Sequence, residues 1–351
     1  MTAFRTVPGD GPLRLVVVGA GQMGRNWLRA IGSSALVEAV GVVDLDLAAA
    51  EDAAPPSAVV GRTLAEVVDR SGPDAVVNVT IPEAHLPVTG EALRRGLPVL
   101  SEKPMAATPA EALALVRIAE ETGELLAVSQ NRRFHSGLWE LRRLAGQLGR
   151  AGILTHEFFK APHFGGFREV MANPLVLDMA IHNFDAARFL LGAEPVAVYC
   201  EEYNPGWSWY GGDAAATAIF EMTGGVRFVY TGSWCSPGLE TAWNSRWRLS
   251  AERGSATWDG EGRPVAERTG GAPATADAVD DYPGDDLLGS LTLFVRALRT
   301  GEAPMGECHD NLRSLAMVHA AIASASRGER VRIDEVLAAA EADVGRLLTA
   351  G

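Results

Sequence analysis

The stretch Leu13 to Leu28, LRLVVVGAGQMGRNWL, limits what the chain can fold into more than any other. An apolar run broken only by Arg14 leads straight into Gly19, Gly21 and Gly24, and a helix-compatible segment comes next. Strand, glycine turn and helix in that order are what a dinucleotide site requires. Gly19 makes the tight turn, Gly21 lets backbone approach a pyrophosphate, and Gly24 lets the helix pack close on the strand. The first helical residues, Gln22 and Met23, then offer free N–H groups to the phosphates. An ordinary glycine-rich turn carries the same glycines, so the rest of the chain has to decide.

Beyond the turn, β and α segments alternate. A helix from Gln22 to about Gly32 precedes the buried strand LVEAVGVVD from Leu36, which ends in Asp44. An acidic residue about 20 positions beyond the glycines binds adenosine ribose hydroxyls and repels a 2′-phosphate, so NAD is favoured over NADP. A solvated loop aspartate is the alternative. The segments at Ala58–Val60 and Leu64–Arg70, and the β-branched run PDAVVNVTI from Pro73, continue the alternation and predict parallel strands. Thr80 and Pro82 lie just past that strand's carboxyl end, where open α/β sheets bind ligands, and His85 sits on the next helix. Leu97–Leu100 delivers Ser101, Glu102, Lys103 and Pro104 to the same edge, and proline holds Lys103 in extended backbone. Thr108, Pro109 and Glu111 read as a capped helix start, and Glu124–Ser129 as the last strand of this domain.

At 351 residues and 47% hydrophobic composition, two domains are expected, 11–131 for dinucleotide and 132–351 for substrate and oligomerisation. A net charge of −13 argues against nucleic-acid or membrane partners. Cys200, Cys235 and Cys308 are scattered, and seven histidines form no H-E-x-x-H, so no metal site and no disulfide framework is expected. No signal core or membrane span is read, and a reducing cytoplasm is the simplest location.

In the second half, Gly152–Lys160, Val196–Tyr203, Ala214–Met222, Val226–Trp234 and Trp243–Ser250 read as strands, and 259–284 as an irregular surface excursion. A helix from Asp178 to its stop at Gly192 sets Asp178 and His182 four apart on one face, where a carboxylate can ready an imidazole for proton exchange. Trp207, Trp209 and Tyr210 crowd a glycine-bounded loop suited to a sugar's C–H faces and hydroxyls, although such aromatics also anchor loops to a core. Lys160, His163 and Arg168 flank a glycine-rich segment and can line the same cavity, a cation there meeting a substrate phosphate or carboxylate.

The glycine turn, the Glu102-Lys103-Pro104 triplet and the Asp178, His182, Asp185 helix, in that order, resemble the Gfo/Idh/MocA oxidoreductases. The resemblance extends through NRRF at Asn131–Phe134, RWRLSAERGSATW from Arg246 and the closing stretch from Phe294 to Val331. It implies an α/β fold, with an N-terminal Rossmann dinucleotide-binding domain and a C-terminal α+β domain built on a large, mostly antiparallel sheet. It also implies a catalytic group of Lys103, Asp178 and His182, Glu102 near the nicotinamide ribose, a cis Lys103–Pro104 peptide, and Arg132 among the substrate contacts. NAD-dependent oxidation of a sugar, glycoside or cyclitol hydroxyl is the expected activity, and a homo-oligomer, dimer or tetramer, the expected assembly. NAD-assisted cleavage through transient oxidation and a non-enzymatic sensor are the alternatives. One departure is Ala180, where many members carry glycine.

Overall fold

The computed structural model describes residues 4–275 and 281–349. The chain divides into two compact units: 1–131 with 283–312 and 339–351, and 132–282 with 313–338. The segments 283–312 and 339–351, which a single cut after 131 gives to the second domain, therefore belong to the first unit.

The strands of the first unit are β1 (Leu13–Val18), β2 (Val37–Val43), β3 (Val59–Gly61), β4 (Ala75–Asn78), β5 (Val99–Glu102) and β6 (Leu126–Ser129). They pair in parallel in the order β3-β2-β1-β4-β5-β6. Helices α1 (Gln22–Gly32), α2 (Leu47–Ala53), α3 (Leu64–Ser71), α4 (Pro82–Arg94) and α5 (Pro109–Thr122) connect them. Strands β4, β5 and β6 are buried along their whole length, as parallel strands covered on both faces must be. Leu15 and Val17 of β1 share a core with Trp27, Leu28 and Ile31 of α1 and with Leu291, Phe294 and Leu298 from late in the chain. The strand order reverses between β1 and β4, so ligand binding is expected at the carboxyl edge there. Thr108 and Glu111 form a reciprocal capping box at the start of α5.

The second unit opens with α6 (Ser136–Gln147), β7 (Ala151–Phe159) and α7 (Phe167–Val170). A π-helical turn, Leu175–Ala180, then runs into α8 (Ile181–Leu191), which stops at Gly192 in left-handed conformation. The helix therefore begins earlier than Asp178, and Asp178 lies in its widened turn. Next come β8 (Pro195–Tyr203), β9 (Ala215–Met222), β10 (Arg227–Ser233), β11 (Arg246–Ala251), β12 (Gly254–Trp258), β13 (Val265–Arg268) and β14 (Pro273–Ala274). The chain ends with α9 (Asp286–Thr300), α10 (Cys308–Arg327), β15 (Val331–Arg332) and α11 (Ile333–Thr349). The sheet order is β14-β13-β12-β11-β7-β10-β9-β8-β15, antiparallel except where β7 meets β10. Part of the stretch read as irregular is thus regular: β13 pairs with β12 and β14 with β13. Of that stretch, 276–280 lies outside the described residues.

One face of this sheet is aromatic, with His156, Phe220, Phe228, Tyr230 and Trp247 buried on it, and Phe184 of α8 packs edge-on against Phe220, Phe228 and Tyr230. The alternate residues Ile153, Tyr199 and Ile219 are exposed, the period-2 signature of a one-sided sheet. Among the described residues, no helix is long and apolar enough to cross a membrane.

Candidate active site

At the end of β1 the three glycines have three different reasons to be glycine. Gly19 has φ +107°, and a Cβ there would stand 2.6 Å from the Val79 carbonyl oxygen. At Gly24 a Cβ would lie 1.9 Å from the Gly19 carbonyl oxygen, so the helix touches the turn backbone to backbone. At Gly21 a Cβ would meet nothing within 4 Å. Gly21 is the N-cap of α1, no side chain caps that end, and its first turn, starting with Gln22 and Met23, holds no acidic residue. The open space and the uncapped N–H groups fit a dinucleotide's phosphates. Asp44, at the tip of β2, accepts from the Ala20 N–H at 2.7 Å and the Asp46 N–H at 2.9 Å, which fixes its carboxylate beside the turn.

The neighbouring strand ends are locked to one another. Thr80 donates its N–H and its hydroxyl to Asn78 Oδ1, and Pro82 opens α4. His85 is fully buried, with Nδ1 2.8 Å from the Pro104 carbonyl oxygen and Nε2 3.0 Å from that of Thr80. Burial pulls its pKa down, against the pull of those carbonyls. A neutral imidazole donates from one nitrogen only. His85 therefore donates to only one of the two carbonyls at a time while its ring fills the space between the loops after β4 and β5, and it does not reach the surface. Glu102 is buried too, accepting from Trp27 Nε1 at 2.8 Å and from the Lys103 N–H at 3.1 Å. Burial raises its pKa, partly offset by Trp27 and Lys103. The Lys103–Pro104 peptide is cis and Lys103 is half-buried. Trp27, on the buried face of α1 three residues after Gly24, was not among the expected site residues, yet it ties the helix of the glycine turn to the Glu102-Lys103-Pro104 loop.

In the second unit His182 is buried, and with Arg132 and Asn183 it lines a cavity of about 10 Å³. Arg132 donates to Asn244 Oδ1 at 2.8 Å, and Asn183 to Ser245 Oγ at 3.1 Å. Asp178 accepts from Arg168 Nε at 2.6 Å, and the Arg168 guanidinium lies over the Phe167 ring at 4.7 Å. Lys160 pairs with Glu240 at 2.6 Å and sits over Trp243. The two cations suggested as anion contacts therefore already face carboxylates of their own unit. His163 stacks on Trp209, centroids 3.8 Å apart, and Trp207 is 69% exposed with its indole N–H on the Cys235 carbonyl. Tyr210 is different, being only 3% exposed, stacked on Trp234 and bonded through its hydroxyl to the Pro162 carbonyl. It anchors the loop, and the exposed aromatic surface there belongs to Trp207 and His163. Glu202, held by Asn173 Nδ2 at 3.1 Å, has its pKa pushed up to about 7 by burial.

One turn below His182, Asp185 is clamped by Arg133, at 2.5 Å from Nε and 2.7 Å from Nη2, and by Ser314 Oγ at 2.6 Å. Arg188 donates to the same Ser314 hydroxyl and pairs with Glu194. Nothing in the local sequence joins Ser314 to this network, since it lies 129 residues away. All three cysteines are free thiols.

A parallel sheet with a glycine turn built for a dinucleotide in one unit, and a buried His182 on helix α8 in a second unit built on a long mixed sheet, define a nucleotide-dependent α/β enzyme. Residues 13–130 match the oxidoreductase family with an NAD-binding Rossmann fold, and 145–257 match the Gfo/Idh/MocA C-terminal domain. The chain belongs to the Gfo/Idh/MocA oxidoreductases, and NAD is its cofactor. It is 25% identical to an inositol 2-dehydrogenase of Rhizobium meliloti, the match covering 92% of this chain and 99% of that protein. It is 26% identical to a D-apiose dehydrogenase of Paraburkholderia graminis, covering 93% and 91%. In fold it matches an oxidoreductase from Agrobacterium radiobacter solved with NAD+, L-tartaric acid and magnesium, with a TM-score of 0.83 at 20% identity, covering 93% and 99%.

Proposed function

We propose that the protein oxidises, reversibly, a secondary hydroxyl of a sugar, glycoside or cyclitol, with Lys103, Asp178 and His182 as its catalytic group. The observation that carries this reading is the position of Lys103. It follows β5, on the same carboxyl edge as the glycine turn and two strands over, about 10 Å at ordinary strand spacing. An ammonium so near a dinucleotide turn suits stabilisation of negative charge on an oxygen under reaction. The inositol 2-dehydrogenase and D-apiose dehydrogenase relatives support a polyol substrate.

Gly19, Gly21 and the start of α1 would hold the phosphates of NAD+ and Asp44 its adenosine ribose, and the bound cofactor would supply the hydride acceptor. Loss of a hydride from carbon requires the hydroxyl proton to leave as well. His182 takes that proton, Lys103 stabilises the developing alkoxide charge, and Asp178 orients His182 and binds a neighbouring hydroxyl. In the reverse direction His182 returns the proton. Asp44 makes NAD the preferred dinucleotide over NADP. The open face of the nine-stranded sheet, with Ile153, Tyr199 and Ile219 exposed, is the surface on which a second copy pairs.

A panel of sugars, glycosides and inositols with purified protein and NAD+, followed by NADH absorbance, tests the activity. His182→Ala is expected to lower kcat by about 10²–10⁴-fold with NADH affinity unchanged. A variant retaining wild-type turnover removes His182 from the reaction. Cleaved product without NADH accumulation replaces net oxidation with NAD-assisted elimination.

A further inference from the structure

Where the chain enters α10, three consecutive side chains turn toward one another. Cys308 Sγ lies 3.1 Å from Glu307 Oε1 and 3.6 Å from His309 Nδ1, and His309 Nδ1 lies 2.6 Å from Glu307 Oε1. The other ring nitrogen, Nε2, is 3.0 Å from Glu120 Oε1 near the end of α5. Glu120, Glu124, Glu307, Cys308 and His309 line a void of about 20 Å³. A void of that size admits one water or one ion and excludes an organic ligand. Cys308 itself is 1% exposed.

We propose that Glu307, Cys308 and His309 bind a zinc-class divalent cation, with Glu120 as the partner that fixes the imidazole. A tetrahedral ion with sulfur at about 2.3 Å and nitrogen and oxygen at about 2.0 Å sets S···N and S···O near 3.5 Å and N···O near 3.3 Å. The S···N separation already matches, and the Glu307 carboxylate has to swing by less than about 1 Å. The short N···O contact is that of a proton standing where the ion goes. Glu120 accepting the Nε2 proton leaves Nδ1 as the ligand nitrogen, the carboxylate–histidine arrangement that steadies metal-bound imidazoles. Thiolate, carboxylate and neutral imidazole balance a double positive charge, and the soft sulfur selects Zn²⁺ or Co²⁺ over Mg²⁺. Binding releases the thiol proton and the proton shared between His309 and Glu307. Glu307 forms an isolated bridge with Ala127, and the Gly306 carbonyl accepts from the Val128 N–H, so the ion clips the chain and α5 to the outer strand β6. This is a structural site at a place separate from the glycine turn, and it does not depend on the proposed reaction.

The test is titration of the chelator-treated full chain with Co²⁺. The expected result is one equivalent bound per chain, with a thiolate-to-cobalt charge-transfer band in the near ultraviolet that Zn²⁺ displaces and Mg²⁺ does not. Cys308→Ser abolishes the band, while Cys200→Ser and Cys235→Ser keep it. His309→Asn and Glu307→Gln, at half-buried positions, weaken Zn²⁺ binding by at least about tenfold while NADH binding is retained. The proposal is overturned if no thiolate band forms, if it survives Cys308→Ser, or if Zn²⁺ affinity is unchanged in both His309→Asn and Glu307→Gln.

Discussion

At the scale of single residues the glycine turn makes two opposite predictions. Gly24→Ala places a methyl 1.9 Å from a backbone oxygen, and neither the Gly19 carbonyl nor the helix can yield as a side chain would. Overpacking of this kind costs about 1–3 kcal/mol, so thermal unfolding is expected at lower temperature and NADH affinity falls with it. Gly21→Ala meets no protein atom, so its melting temperature is expected to stay at the wild-type value while NADH binding weakens more than tenfold, as titrated by fluorescence. Asp44→Ser removes a carboxylate that faces the turn, and the ratio of NAD to NADP affinity is expected to narrow. An unchanged ratio detaches Asp44 from cofactor choice. These three positions were legible in the sequence because the strand, glycine turn and helix follow one another directly and an acidic residue about 20 positions on belongs to the same pattern. Trp27 and the buried ring of His85 were not, since their roles come from partners 75 and 19 positions away.

At the scale of elements, α8 shows how a helix holding a proposed catalytic histidine is kept in register. Asp185 and Arg133 are both nearly inaccessible, and their bidentate pair is shared with Ser314. Asp185→Asn leaves the guanidinium buried without its counter-charge, which in comparable buried pairs costs about 3–5 kcal/mol. Denaturant unfolding is expected to show that loss with little change in NADH affinity, because Asp185 lies in the other unit from the glycine turn. A loss below about 1 kcal/mol, the size expected of a surface pair, rules the clamp out. Caps and alternation made most elements readable: the Thr108 box, the stop at Gly192 and five strands of the second sheet come from local chemistry. The π-helical turn holding Asp178 was not readable, since nothing in LVLDMA distinguishes i→i+5 from i→i+4 hydrogen bonding. Strands β13 and β14 were equally hidden, in a stretch whose Gly, Pro and Asp content reads as loop and whose pairing depends on the edge that β12 offers.

For the whole molecule, buried ionisable groups set how stability responds to pH. His156 is stacked on Tyr230 and set edge-on to Trp247, and burial lowers its pKa from 6.5 to about 3. His319 is lowered to about 4, again by burial. The unfolded chain takes up protons at these sites below pH 6.5 while the folded chain does not, so the stability they permit is complete above 6.5 and drains away as pH falls toward their folded values. Each contributes a slope of about 1.4 kcal/mol per pH unit. Glu202 has the opposite sign. Its folded pKa near 7 stands above the unfolded 4.5, so its contribution is full below 4.5 and is lost as pH rises through 7. Substituting one site isolates its share. His156→Phe keeps a flat ring in the aromatic face, and neither nitrogen of the native ring meets a hydrogen-bond partner among the described residues. The variant is expected to match or exceed the wild type at pH 7.5 and to gain on it by about 1.4 kcal/mol for each unit of acidification between pH 6.5 and 4. Parallel unfolding curves across that range would mean that His156 takes up its proton in the folded protein as readily as in the unfolded chain, and that the aromatic face of the sheet is open to water.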